Sequence, residues 1–160
     1  MSSHQELPKG FIRDPVHFLA LGFGAGCLPG APGTFGTLVG VVLYLPLQRL
    51  PWAWYLAIVM ALFALGVWIS GQTAKAIGVH DDSRIVWDEI VGYLVTMIAA
   101  PAGWLWIILG FVLFRVFDIV KPWPIRWIDE KVRGGLGIVL DDVVAGLYGL
   151  AILQVIVYLI

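Results

Sequence analysis

The 160-residue chain has one cysteine, three histidines and few charges, with Asp, Glu, Lys and Arg making up only 13%. The single Cys27 excludes an intramolecular disulfide and a multi-cysteine metal centre. Ten basic residues against eleven acidic ones leave a net charge of −1, so no basic excess points to nucleic acid. A cleavable signal peptide is not expected, because residues 1–16 are polar and no small-residue cleavage pattern follows a clean apolar run. What the chain has in abundance is apolar surface. Hydrophobic residues make up 60% of it, and the mean hydropathy is +0.90. Soluble domains carry about 25% charged and about 45–50% apolar residues. A chain of this size would still expose roughly 30% of its unfolded surface when folded, too much for so few polar side chains to cover in water. A bilayer is therefore the expected solvent. The eight tryptophans suit interfacial anchoring, although Trp also packs well in cores.

Five apolar stretches are read as helices: roughly 36–49, 52–70, 86–100, 104–118 and 143–160. Residues 17–28 are apolar but short and Gly-rich. Crossing the hydrocarbon takes about 20 helical residues, so the first, third and fourth stretches are short. They are expected either to thin the bilayer locally or to sit behind the longer helices. Pro46 and Pro51 bracket one tight connection, and Pro101-Ala102-Gly103 forms another. The expected fold is an all-α, polytopic membrane helical bundle, with an interfacial segment near 120–138. It forms a single domain over 1–160, with a polar N-terminal segment 1–14. If the stretches alternate, nine of the ten basic residues fall on one face and only Arg49 on the other. That bias marks the first face as cytoplasmic. All eleven acids share it.

The strongest internal signal is a short repeat. Ile85-Val86-Trp87-Asp88-Glu89-Ile90-Val91 matches Ile138-Val139-Leu140-Asp141-Asp142-Val143-Val144 in character, and a glycine follows each, Gly92 or Gly146. Each acidic pair is expected to open a membrane helix, and each glycine to admit a close neighbour. Acids at helix starts can serve simply as caps. Consecutive acids, repeated and flanked by apolar residues, exceed what capping needs and suit a shared metal site. Both readings stand at this point. A third acid, Asp118, ends the fourth stretch, with Arg115 three residues before it and Lys121 three after. These residues could form a local ion pair with a positive membrane anchor. Alternatively, carboxylates on three helix ends beside Lys and Arg could build a metal-assisted phosphate site. The scarcity of histidine argues against zinc. In Pro29-Gly30-Ala31-Pro32-Gly33-Thr34, Thr34 either caps a turn or helps hold phosphate at a helix start. His80 and Asp81-Asp82 are read as proton donors or solvated loop residues.

Several phosphatase chemistries are absent. Gly33 stands where a C-x₅-R loop beginning at Cys27 would need arginine, and no D-x-D-x-T/V element is present. The type-2 phosphatidic-acid phosphatase elements and the D-G-x₂-A-R signature of CDP-alcohol phosphotransferases are missing too. Instead PGTFGT, IVWDEIVG, FRVFDIVKPWPIRW and GGLGIVLDDVVAG, in this order and spacing over about residues 15–160, resemble the phosphatidylglycerophosphatase A family. The resemblance implies a Mg²⁺-dependent, multi-pass enzyme of the bacterial inner membrane, hydrolysing phosphatidylglycerophosphate to phosphatidylglycerol and phosphate. It implies Asp88, Glu89, Asp118, Asp141 and Asp142 as metal ligands, with the same acids and Lys121 forming the catalytic set. Lys121, Arg115 and Thr34 would bind phosphate. The competing expectations are a non-enzymatic membrane scaffold or a small carrier, its carboxylates acting as helix caps. A carrier would hold charge near mid-membrane, whereas these spans are interrupted mainly by Thr96 and Gln154.

Overall fold

The computed structural model describes Leu7 and residues 10–160, so most of the polar segment 1–14 lies outside the described residues. Among the described residues the chain is all helical. The elements are α1 (Pro15–Ala20), α2 (Pro32–Leu47), α3 (Trp52–Ile77), α4 (Trp87–Thr96), α5 (Trp104–Val120), α6 (Ile125–Lys131) and α7 (Gly134–Leu159). Two of them, α3 and α7, are long and apolar enough to cross a membrane. The central helices are α4 and α7. α4 packs against α2, α3, α5 and α7, while α7 also covers α3, α5 and α6.

The third apolar stretch is shorter than its hydropathy suggests. α4 has ten residues, about 15 Å of helix. All of them are buried except Glu89, which is half-buried. It stops at Thr96, before the chain reaches Pro101, which has no N–H to continue a helix. Burying a helix end leaves carbonyls that need donors. The Tyr55 hydroxyl donates to Leu94 O at 2.6 Å, and Gln154 Nε2 donates to Ile98 O at 3.0 Å and to Ala99 O at 3.2 Å. Thr96 Oγ1 bonds Gly92 O and Gly146 O, both at 3.2 Å. The polar interruptions of the spans thus donate to backbone carbonyls, buried ones for Thr96 and ones just past the end of α4 for Gln154.

Other boundaries also move. α2 starts at Pro32 and carries Pro46 in its last turn, so Pro46 lies inside the helix rather than bracketing a connection. α7 begins at Gly134, which trims the interfacial segment expected to reach 138. The Asp141-Asp142 pair therefore lies two turns inside a helix and does not open one. The hydropathy of 143–160 dates that helix too late because Gly134-Gly135-Leu136-Gly137 weakens the apolar signal without breaking the helix.

Gly92 and Gly146 face each other where α4 crosses α7. A Cβ on Gly146 would run into Gly92 O, and one on Gly92 would sit 2.7 Å from Asp142 O. Backbone blocks both positions, so no side chain can turn aside. Gly146→Ala is expected to cost about 1–3 kcal/mol as the helices are forced apart. Thermal unfolding in detergent measures this. Gly110→Ala, whose Cβ meets only the flexible Met97 side chain, is expected to lose less.

Candidate active site

One end of the bundle collects the polar side chains. The other carries the two short connections, 48–51 and 97–103, whose residues line shared clefts. At the polar end a cavity of about 340 Å³ is walled by the first turn of α2, the 81–85 loop, the start of α4, the end of α5 and the middle of α7. Asp88, Glu89, Arg115, Asp118, Lys121, Asp141 and Asp142 all border it. Thr34 does not line it, nor does Thr34 cap α2, whose start has no side-chain cap bond. The phosphate-binding and capping roles expected of Thr34 therefore both lack a contact, because α2 begins two residues earlier and turns Gly33 inward instead.

The innermost group is Asp88, Glu89 and Asp142. One carboxylate oxygen from each lies within 4.8 Å of the others. Asp88 and Asp142 are buried and Glu89 half-buried. Asp88 Oδ1, Glu89 Oε2 and Asp142 Oδ2 have no hydrogen-bond partner. Capping does not explain them. Asp142 is two turns from its helix start, and the start of α4 has no side-chain cap bond. An uncompensated buried carboxylate is costly, and three side by side repel as well. A cation among them removes both penalties. Oxygens around Mg²⁺ bond at about 2.0–2.1 Å and so stand roughly 3–4 Å apart, which the limit of 4.8 Å between these oxygens accommodates. An all-oxygen donor set without His or Cys suits a hard divalent ion. The residues present fit such a group.

Around this core each cation is held by an acid. Arg115 pairs with Asp118, one turn along α5, and Asp118 lies beside Asp142. The space for the guanidinium comes from Gly33: a Cβ there would sit 2.5 Å from Glu89 Oε1 and 2.9 Å from Arg115 Nη1. Lys121 ends α5 in the left-handed region at φ 46° and donates to Asp141 Oδ2 at 2.7 Å. It also meets Asp129 Oδ1, from α6, at 3.1 Å. Burial alone would lower an ammonium pKa, but the Asp141 charge and the bonds to Asp141 and Asp129 outweigh it. The Lys121 pKa is raised, and the ammonium stays charged.

Two further acids belong here, Asp81, read from sequence as a proton donor or a solvated loop residue, and Asp129, which sequence reasoning passed over. Asp81 sits on the cavity wall rather than in free loop, and Asp129 reaches Lys121 from a helix never singled out. His80, next to Asp81, accepts the Gly134 N–H at 2.8 Å, tying the loop to the start of α7.

A profile of phosphatidylglycerophosphatase A matches residues 18–157. The chain belongs to the phosphatidylglycerophosphatase A family. The Escherichia coli (strain K12) member is 45% identical over 153 residues, covering 94% of this chain and 89% of its own. The Haemophilus influenzae member is 43% identical over 160 residues, covering 99% and 98%. A Bacteroides thetaiotaomicron relative, provisionally named a phosphatidylinositol-3-phosphatase, is 38% identical over 146 residues, covering 86% and 90%. No solved structure matches the chain.

Proposed function

We propose that this protein hydrolyses phosphatidylglycerophosphate to phosphatidylglycerol and phosphate in phospholipid biosynthesis. The proposal places it in the bacterial inner membrane, with Mg²⁺ as cofactor. The observation that carries the reading is the convergence of three partnerless buried carboxylate oxygens beside Arg115 and Lys121 in one cavity. Family membership supplies the lipid class.

Asp88, Glu89 and Asp142 would hold the ion, with Asp118 adjoining. When bound, Mg²⁺ supplies Lewis-acid polarisation of a phosphoryl oxygen and a lowered pKa for a water. The remaining work falls to the chain. Arg115 and Lys121 neutralise the non-bridging oxygens with charges already fixed by Asp118 and Asp141, so little reorganisation accompanies the reaction. Gly33, in the first turn of α2, lines the same cavity and precedes the first intrahelical bond, from Phe35 N to Ala31 O, so its N–H would add a donor for the anion. A carboxylate of the cluster takes the proton of the attacking water. The lipid glycerol oxygen leaves, and the acyl chains remain in the bilayer.

Support for the membrane reading comes from surface chemistry. Exposed Trp52, Trp54 and Trp104 ring the connection end, and exposed Trp68, Trp123 and Trp127 ring the acid end. Along α3, Trp52 and Trp68 are about 24 Å apart, near the thickness of a bilayer's apolar layer. Arg49 is the one basic residue of the connection end among those described, which supports a cytoplasmic acid end.

Short-chain phosphatidylglycerophosphate added to sealed inside-out vesicles bearing the protein should release phosphate with Mg²⁺ and not in excess chelator. Right-side-out vesicles should stay inactive until opened with detergent. Full activity in chelator would sink the metal reading, and activity on intact right-side-out vesicles would sink the sidedness. Faster hydrolysis of phosphatidylinositol 3-phosphate in the same assay would replace the substrate.

A further inference from the structure

Of the two basic side chains that line the cavity among the described residues, Arg115 and Lys121, Lys121 pairs with two acids, and one of them lies outside the cavity wall. We infer that Asp129 is a positioning residue, one that aims the Lys121 ammonium at the phosphoryl group; this rests on the phosphatase reading above. An ammonium has three donors set tetrahedrally. Asp141, on α7, accepts one at 2.7 Å, and the Asp129 carboxylate, on α6, lies 3.1 Å from the same nitrogen as a second ion-pair partner. Held between carboxylates on two different helices, the ammonium has little freedom to move, and the Lys121 side chain lines the cavity. With Asp141 alone, the flexible four-carbon stem would let the ammonium swing about one bond.

Asp129 is not needed to dock α6. Ile125 and Ile128 are buried, and the Tyr148 hydroxyl donates to Trp123 O at 3.1 Å just before α6. The Asp129 side chain keeps 33% of its surface exposed, so losing its charge opens no cavity. Beside it the exposed pair Arg126–Glu130, at 3.1 Å, provides a control on the same helix with no path to the site.

The experiment measures phosphate release by full-length protein in mixed micelles with Mg²⁺ and phosphatidylglycerophosphate. Asp129→Asn is expected to lower turnover about 10–100-fold, the scale of a lost hydrogen bond to a charge, with unchanged thermal unfolding. Asp129→Glu should recover part of the loss, and Glu130→Gln should match wild type. The deciding measurement is the double variant. In a Lys121→Ala background, Asp129→Asn should cost nothing further, since the group it positions is gone. The same fold-loss in both backgrounds would show that Asp129 acts elsewhere and overturn the inference. Wild-type turnover for Asp129→Asn would overturn it too, leaving the phosphatase reading intact. Inactive wild-type protein would overturn that reading and this inference together.

Discussion

Asp142→Asn is expected to lower phosphate release by more than about 100-fold while raising the unfolding temperature of the metal-free protein. Removing partners that merely orient metal ligands costs about 10–100-fold, so losing a ligand's charge should cost more. The stability change has the opposite sign. Asp142 is 3% exposed, and its Oδ2 has no hydrogen-bond partner, with Glu89 and Asp118 close by. Asparagine keeps the size, removes a buried charge and offers N–H groups to those carboxylates. A side chain kept for stability would show the reverse, a lower unfolding temperature with normal turnover. Thermal unfolding in detergent with chelator, beside a phosphate assay with Mg²⁺, reads both. Normal turnover would remove Asp142 from the site.

Lys121→Arg should fold normally and lose about 10²–10³-fold in turnover, the typical cost of one preorganised charge at a reacting centre. The Lys121 site is built for a compact ammonium between Asp141 and Asp129. A guanidinium is longer and planar, and it carries its donors in a rigid fork. Paired with those two carboxylates, it would aim its remaining donors along the fork plane rather than at the phosphoryl oxygens. A membrane anchor would accept either cation. Lys131→Arg, at an exposed position at the end of α6, is the matching control and should be silent. Wild-type activity for Lys121→Arg would leave the phosphate charge to Arg115 alone.

The sequence by itself determined a good deal. Composition called for a helical, membrane-type chain, because no aqueous fold of this length covers so much apolar surface. The two acidic pairs and the segment from Arg115 to Lys121 were legible because charges in an apolar chain stand out. The glycine after each pair was legible as a close helix contact, and Gly92 and Gly146 do meet. The depth of each acid was not legible. Hydropathy locates where apolar runs begin, whereas helices continue wherever backbone bonds can be made. Asp141 and Asp142 thus looked like a helix start and proved to lie within one. α4 looked like a span and proved to be a buried half-length helix, with Tyr55, distant in sequence, satisfying its Leu94 carbonyl and Gln154 those of Ile98 and Ala99 just beyond its end. Tertiary structure also decided between Thr34 and Gly33 at the cavity, and it brought Asp81 and Asp129 to the site. Those choices rest on contacts between helices, and periodicity along one chain segment carries no record of what stands across from it.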